Sequence, residues 1–175
     1  ATGNIIDLGV YSDVNIEESV MDELAKDFAI CDINRFEEEL KQAKNVLIIG
    51  DNAGETVFDR ILIEELGDLD VTYAVRSGPV INDATIEDAR ASGLEECARL
   101  ISSGYDAPGT LLEECSEEFL DLFQNADIVI SKGQGNYETL MEEKRSLFFL
   151  LKAKCPVNAE SLKVNINDYV FKWNG

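Results

Sequence analysis

The sequence predicts an α/β fold, a three-layer α/β/α arrangement in which a doubly wound, mostly parallel sheet lies between two layers of helices. Two observations lead to this prediction. Short apolar runs rich in β-branched residues alternate with amphipathic helical patterns along the chain. The runs are apolar at nearly every position, as expected for strands covered on both faces. The 175 residues suit a single domain, 1–175, because no repeat or linker divides them.

The first predicted element is an amphipathic helix over residues 16–30. Asn15 precedes it, and Glu18 follows Asn15 by three residues, which is the spacing of an N-cap. Every fourth residue of this segment is apolar: Ile16, Val20, Leu24 and Phe28. Such a stripe faces a hydrophobic core.

The remaining elements alternate in type. Helical periodicity of apolar residues predicts further helices over residues 34–44, 56–66, 85–93, 116–126 and 137–145. Apolar, β-branched or aromatic runs predict strands over residues 45–50, 71–75, 98–104, 127–131 and 146–154, with the last strand within 162–173. In such a sheet, ligands bind outside the carboxyl ends of the strands, so the loops after strands are the first places to search.

The charge balance limits the partners. The chain has 35 Asp and Glu against 15 Lys and Arg, a net charge of −20. A nucleic-acid partner is therefore not expected, and an anionic substrate would need a local cation. No apolar run approaches the length of a membrane span, and the first residues lack the features of a signal peptide. We therefore expect a cytoplasmic protein with no membrane partner.

The inventory of reactive side chains excludes several chemistries. The chain has no His, which removes Ser-His-Asp and Cys-His catalysis and the usual imidazole base. It has four widely spaced cysteines and no CxxC, which argues against zinc. We expect these cysteines to be reduced and mostly buried thiols: Cys31, Cys97, Cys115 and Cys155.

The loop "GDNAGE" follows the strand predicted at 45–50. Asp51 and Asn52 are adjacent oxygen donors between two glycines, and such donors suit Mg²⁺ or Mn²⁺. Asn52 with Glu55 three residues later is also the spacing of a helix cap, and this alternative is equally compatible with the loop alone. A dinucleotide loop is less favoured because GxGxxG is absent.

The loop "RSGPVINDA" offers a second pair of oxygen donors, Asn82 and Asp83. Thr85 and Asp88 form a capping box for the helix that follows, which leaves Asp83 available for another role. Two such pairs at two strand ends of one sheet can meet at one cation. Arg76, just before the loop, is a candidate for anion binding or a solvated surface arginine.

Two later loops complete the set. "SSGYDAPGT" places Asp106 in an ordered turn at a strand end. "SKGQGN" places Lys132 at the end of a strand, before Gly133, Gly135 and Asn136, where glycine amides and a lysine can face an anion. Together the four loops predict oxygen ligands for a divalent cation beside a phosphate site, the combination used in metal-dependent phosphoryl chemistry.

These motifs resemble a known family. "GDNAGE", "PVINDAT", "DAPGT" and "SKGQGN" occur in this order in the damage-control metal-phosphatases, once catalogued as domain of unknown function 89, and "GNIIDLG" at the start also resembles them. The resemblance covers essentially the whole chain. It implies a divalent-metal-dependent phosphatase that uses magnesium, manganese, cobalt or nickel. The implied substrates are small phosphorylated metabolites, including sugar phosphates and damaged phosphometabolites.

The resemblance also implies roles for residues. Its catalytic metal ligands would be Asp51, Asn52 and Asp83. Its substrate contacts would be Lys132, Asn82, Asp106 and Asn136, beside the candidates Gly133 and Arg76. Family members usually carry a mostly helical region before "GNIIDLG", which implies that this chain is a fragment or that the helical region is separate.

Two other function classes remain open. An S-adenosylmethionine-dependent methyltransferase fits a doubly wound sheet, although the glycine-rich first loop of such enzymes is missing. A non-catalytic module that binds a metal or a phosphometabolite is the other class. A dehalogenase-type phosphatase is disfavoured, because Ala53 stands where a second aspartate would follow Asp51.

Overall fold

The structure, a computed structural model, describes residues 21, 23 and 25–175. Its seven strands form one sheet in the order β1-β7-β6-β5-β2-β3-β4. In chain order the strands are β1 Phe28–Cys31, β2 Asn45–Ile49, β3 Asp70–Val75, β4 Arg99–Ser102, β5 Ile128–Lys132, β6 Phe148–Lys152 and β7 Tyr169–Trp173. The five strands β6, β5, β2, β3 and β4 are mutually parallel, whereas β7 runs antiparallel to β6 and parallel to β1.

Six helices of the described residues flank the sheet. They are α1 Ile33–Leu40, α2 Thr56–Glu65, α3 Ile86–Ala91, α4 Glu117–Asn125, α5 Gln134–Leu140 and α6 Pro156–Leu162. The predicted α/β class with a mostly parallel sheet is confirmed. Within the described part of the chain, no helix has the length and apolar character that a membrane crossing requires.

Three sequence predictions differ from the structure. The helix predicted over 16–30 falls mostly outside the described residues, but its end is wrong because Phe28 begins a strand that pairs with β7. α5 begins at Gln134, three residues earlier than predicted. α6 was missed, although Pro156 at its first turn is a typical helix start.

The expected burial of the cysteines is also wrong. All four are free, but Cys31 is exposed and the other three are half-buried. The strand pairing at the sheet edge places Cys31 in solvent at the end of β1.

Hydrophobic clusters lie on both faces of the sheet, as the apolar strands predict. On β2, Val46 and Ile48 pack into one cluster, while Leu47 and Ile49 pack into the other. Each fully buried side chain of this size contributes about 1.5–3 kcal/mol. The consequence is a rigid sheet that fixes the loops at its edges.

The strand order reverses between β2 and β5. From β2 the chain proceeds to β3 and β4 on one side, and then returns to place β5 on the other side. Such a reversal opens a crevice outside the carboxyl ends of the two strands, the usual ligand site of this architecture. The loops that begin at Gly50 and Gly133 both lie there.

Candidate active site

A cavity of about 170 Å³ lies at this crevice. One wall carries oxygen donors and consists of Asp51, Asn52, Glu55, Asn82 and Asp83. The opposite wall comes from the loop after β5 and from the end of β6, and includes Gly133, Gln134, Lys152 and Lys154. Five of the predicted site positions therefore line this cavity: Asp51, Asn52, Asn82, Asp83 and Gly133.

Backbone pairing brings the first two loops together. Asn52 and Asp83 form an isolated antiparallel bridge. The Ala84 amide donates to the Asp51 carbonyl at 2.7 Å, and the Ala53 amide donates to the Asn82 carbonyl at 2.9 Å. The two oxygen-donor pairs are thus held side by side by main-chain hydrogen bonds rather than by side-chain packing alone.

Asn52 also caps a short helical turn. Its Oδ1 accepts a hydrogen bond from the Gly54 amide at 2.8 Å, at the start of the 3-10 turn Ala53–Glu55 that leads into α2. The alternative prediction that Asn52 caps a helix is therefore confirmed for this turn. The side chain is also buried. A carbonyl oxygen has two lone pairs and can accept from two partners, so capping and metal coordination are compatible roles for an Asn side chain.

The Asp51 carboxylate is the least compensated charge of the cavity. In the part of the chain that the structure describes, no hydrogen bond or ion pair reaches it. Burial, together with the carboxylates of Glu55 and Asp83, raises its pKa to about 6. Gly133 lies directly against it with φ +81°, and a Cβ there would collide with the carboxylate. The backbone thus leaves room for this carboxylate and supplies no counter-charge to it.

Arg76 orients Asp83. Its Nε donates to Asp83 Oδ2 at 2.7 Å, and its other nitrogens donate to Thr110 Oγ1 at 3.2 Å and Asn136 Oδ1 at 2.9 Å. Only 3% of Arg76 is exposed, so the alternative of a solvated surface arginine is wrong. Because Arg76 takes Oδ2 of Asp83, the cavity is left with Oδ1.

Asn136 belongs to the same buried network. Its Nδ2 donates to the Gly50 carbonyl at 3.1 Å and to the Lys132 carbonyl at 2.7 Å, while its Oδ1 accepts from Arg76 and from the Thr110 hydroxyl. Both ends of the side chain thus join β2 to β5. Sequence reasoning did not single out Thr110, although it is the last residue of the loop "SSGYDAPGT".

Lys132 turns away from the cavity. Its Nζ donates to Glu55 Oε2 at 2.6 Å and to Asp59 Oδ1, and Tyr73 donates to Asp59 Oδ2 at 2.6 Å. Burial opposes the charge of Lys132, but the Asp59 and Glu55 carboxylates raise its pKa above the ordinary value. The lysine therefore stays charged and holds the Glu55 carboxylate at the cavity wall. Its direct contact with a substrate phosphate stays a prediction.

Two lysines at the end of β6 lie on the cavity wall, and sequence reasoning did not single them out. Lys152 donates to Glu23 at 3.0 Å. Lys154 is exposed and makes no ion pair with any residue in the described ranges. The signal for them was present in "LLKAK", two lysines at the end of an apolar strand. Asp106, in contrast, is exposed and lies off the cavity wall.

The donor set suits a hard cation that keeps part of its hydration. In residues 25–175 and the two described before them, no three His, Cys, Asp or Glu side chains are grouped as a complete metal cage. Magnesium-type sites need only one or two protein carboxylates, completed by water and substrate phosphate. Asp51, Asp83 and the amide oxygen of Asn52 meet that requirement, and the unpaired charge of Asp51 is the observation that favours a cation.

Comparison with known proteins shows the family of the chain. The model of the damage-control phosphatase ARMT1-like domain matches residues 1–170. A damage-control phosphatase from Pyrococcus horikoshii is 47% identical over 167 residues, which are 93% of this chain and 58% of that protein. A damage-control phosphatase from Archaeoglobus fulgidus is 36% identical over 178 residues, which are 97% of this chain and 61% of that protein.

A solved structure has the same fold. The crystal structure of a DUF89 family protein from Pyrococcus horikoshii aligns with a TM-score of 0.90 and 46% sequence identity. The alignment covers 99% of this chain and 62% of that chain. The chain thus spans less than two thirds of the length of the relatives that it matches.

Proposed function

This chain belongs to the damage-control phosphatase ARMT1-like domain family, and on that premise we propose that it forms the active site of a divalent-metal-dependent phosphatase. The proposed substrates are small phosphomonoesters, such as sugar phosphates or damaged phosphometabolites. A cavity of about 170 Å³ is smaller than the roughly 300–1,000 Å³ that drug-sized ligands occupy. This volume favours a phosphate group with a small organic part.

The half-buried carboxylate of Asp51 beside Asp83, which has no hydrogen-bond or ion-pair partner among the described residues, is the observation that carries the proposal. In the proposal, Asp51, Asn52 and Asp83 hold Mn²⁺, Mg²⁺, Co²⁺ or Ni²⁺ through oxygen atoms, the ligands that such cations prefer. A bound divalent cation supplies Lewis acidity, which neutralises phosphate charge and makes water a better nucleophile.

Side chains on the cavity wall and directly behind it have separate roles in the proposed reaction. Arg76 fixes the orientation of Asp83 through Oδ2, and Lys132 fixes Glu55. Lys154 binds a phosphate oxygen, because it is the lysine of the cavity wall that lacks an ion pair among the described residues. An ammonium group close to a phosphate adds charge-assisted hydrogen bonds and offsets the repulsion of the acidic wall. Asn82 and Gly133 lie on the wall and remain candidates for further contacts with the substrate.

A phosphatase screen of the full chain tests the proposal. We expect release of inorganic phosphate from small phosphomonoesters in the presence of Mn²⁺ or Co²⁺ and a loss of at least 100-fold in Asp51→Ala, because the cation loses a charged ligand. Asp68→Asn, an exposed change in the loop between α2 and β3, is the matched control and should keep full activity. Activity that is independent of metal, or full activity in Asp51→Ala, would contradict the proposal. Metal binding without turnover of any phosphomonoester would favour the non-catalytic binding module.

A further inference from the structure

We infer that Gln134 is the positioning residue that holds Lys154 at the phosphate side of the cavity. This inference rests on the proposed function, because that function supplies the phosphate group that Lys154 binds. Gln134 and Lys154 both line the cavity, one from the start of α5 and the other from the connection between β6 and α6.

The contact is a double hydrogen bond to the backbone. Gln134 Oε1 accepts from the Lys154 amide at 3.0 Å and from the Cys155 amide at 3.2 Å. A single side-chain oxygen thus receives two consecutive main-chain donors, which fixes both the position and the direction of that peptide unit. Without Gln134, both amides would need water as an acceptor.

The other end of the Gln134 amide is fixed as well. Its Nε2 donates to Glu138 Oε1 at 3.2 Å, and the same oxygen accepts from Asn158 Nδ2 of α6 at 2.7 Å. The flipped orientation would set an NH₂ group against two backbone donors, so only one orientation satisfies both ends. Glu138 and Gln134 therefore tie α5 to α6 on the side of the cavity that carries Lys154.

Lys154 depends on this support more than its neighbours do. Ala153 is held by main-chain hydrogen bonds with Asp168 at 2.9 Å and Asn167 at 2.7 Å. Lys152 is held by its ion pair with Glu23. Lys154 has no ion pair within the described residues to orient its ammonium, so the position of its backbone decides where the side chain can reach.

The kinetic test compares Gln134→Met with Lys154→Ala and with the double variant. Methionine keeps the length of glutamine and removes the acceptor. With Mn²⁺ and p-nitrophenyl phosphate, we expect Gln134→Met to raise KM, and the inhibition constant of inorganic phosphate, by roughly tenfold while kcat stays within about twofold. In the Lys154→Ala background the same change should have no further effect, because the group that it positions is gone. Gln42→Met, an exposed change in the turn after α1, is the control.

The inference would be overturned if the effects of Gln134→Met and Lys154→Ala on KM were additive in the double variant. An unchanged KM in Gln134→Met would also overturn it. Amide hydrogen exchange gives a second readout that needs no turnover. Gln134→Met should speed exchange at Lys154 and Cys155 by about tenfold or more and leave β5 unchanged, and unaltered exchange at these two amides would also overturn it. If the wild-type chain hydrolysed no phosphomonoester, the proposed function would fail on that ground alone, whereas the exchange result tests the positioning contact separately.

Discussion

At the scale of single residues, Asp51 is half-buried and has no hydrogen-bond or ion-pair partner among the described residues. The charges of Lys132 and Arg76 offset only part of the effect of its burial and of the neighbouring carboxylates. Its raised pKa means that the folded protein favours the protonated carboxyl, so ionisation at neutral pH destabilises the metal-free fold. A rise of the pKa from 3.8 to about 6 corresponds to about 2–3 kcal/mol.

We therefore predict that Asp51→Asn raises the free energy of unfolding of the metal-free protein at pH 7 by about 2 kcal/mol. Urea denaturation measures this, with Asp68→Asn as a control that should change it by less than about 0.5 kcal/mol. The same variant should lose most of the stabilisation that Mn²⁺ gives to the wild type. Lower stability in Asp51→Asn without metal would show that Asp51 has a stabilising partner.

Ile81 is a second residue with an unfavourable feature, because its side chain does not suit its backbone conformation. It has φ +51°, and it lies at the second position of the turn in which the Asp83 amide donates to the Val80 carbonyl at 2.8 Å. A β-branched side chain rarely adopts this conformation, and Ile81 gains no packing because it is 93% exposed. The turn keeps its shape because the Asn82 carbonyl and the Ala84 amide are hydrogen-bonded to the loop of Asp51.

We predict that Ile81→Gly raises the free energy of unfolding by about 0.5–1 kcal/mol, because relief of strain exceeds the entropy that glycine adds to the unfolded chain. Val157→Gly is the contrasting control. Val157 is also exposed but lies in helix α6, where the change from valine to glycine should lower the free energy of unfolding by about 0.5 kcal/mol. Chemical denaturation of both variants measures the difference, and loss of stability in Ile81→Gly would show that the isoleucine makes a stabilising contact.

At the scale of elements, Lys132 joins β5 to the start of α2. Its ammonium lies between the carboxylates of Glu55 and Asp59, and all three side chains are buried. Removal of one member of a buried ion pair is costly because the remaining charge stays buried without compensation.

We predict that Lys132→Met lowers the free energy of unfolding by about 3–5 kcal/mol, whereas Lys154→Ala changes it by less than about 0.5 kcal/mol and raises KM. Denaturation and steady-state kinetics on the same preparations separate the two lysines. Adding Glu55→Gln and Asp59→Asn to Lys132→Met should recover much of the stability. A Lys132→Met variant that kept the stability of the wild type but had a higher KM would instead support a direct phosphate contact by Lys132.

Elements also explain which parts of the site could be predicted from the sequence. Asp51, Asn52 and Asp83 come directly after strands or loops with recognisable motifs, and parallel strands bring such loops to one edge. The side of the sheet to which a lysine points could not be predicted in this way. Lys132 is the last residue of β5 and turns towards α2, whereas Lys154 reaches the cavity only because β6 lies next to β5. Neither strand order nor the direction of a side chain at a strand end can be deduced from local periodicity.

At the scale of the whole molecule, the alternation of apolar strands and amphipathic helices was sufficient to predict the fold class. The helix predicted to include Phe28 failed at its end because pairing of β1 with β7 overrides local helical periodicity at the sheet edge. The pattern of apolar residues also could not predict that β7 runs antiparallel to β6. It places the last strand between β1 and β6, a contact between the two ends of the described chain that only tertiary structure can specify.

The acidity of the whole molecule and the pKa of Asp51 combine in a prediction about pH. For Asp51 the folded-state pKa is raised, so the stability that it contributes is fully present below pH 3.8 and is lost as the pH rises through about 6. The net charge of −20 adds repulsion in the same direction, since carboxylates ionise over this range. The metal-free protein should therefore be more stable near pH 5 than near pH 7.5.

A divalent cation reverses this trend, because it must displace the proton of Asp51 at pH 5 and meets an ionised carboxylate at pH 7.5. At a fixed Mn²⁺ concentration we expect an upward shift in Tm that is several degrees larger at pH 7.5 than at pH 5, following the ligand linkage relation. Thermal unfolding with and without Mn²⁺ at both pH values measures it, and Mg²⁺-free buffer with a chelator gives the baseline. Asp51→Asn should show a small shift of equal size at both pH values. An equal Mn²⁺ shift at pH 5 and pH 7.5 in the wild type would mean that the cation is not held by a group that titrates in this range, and would exclude Asp51 as its ligand.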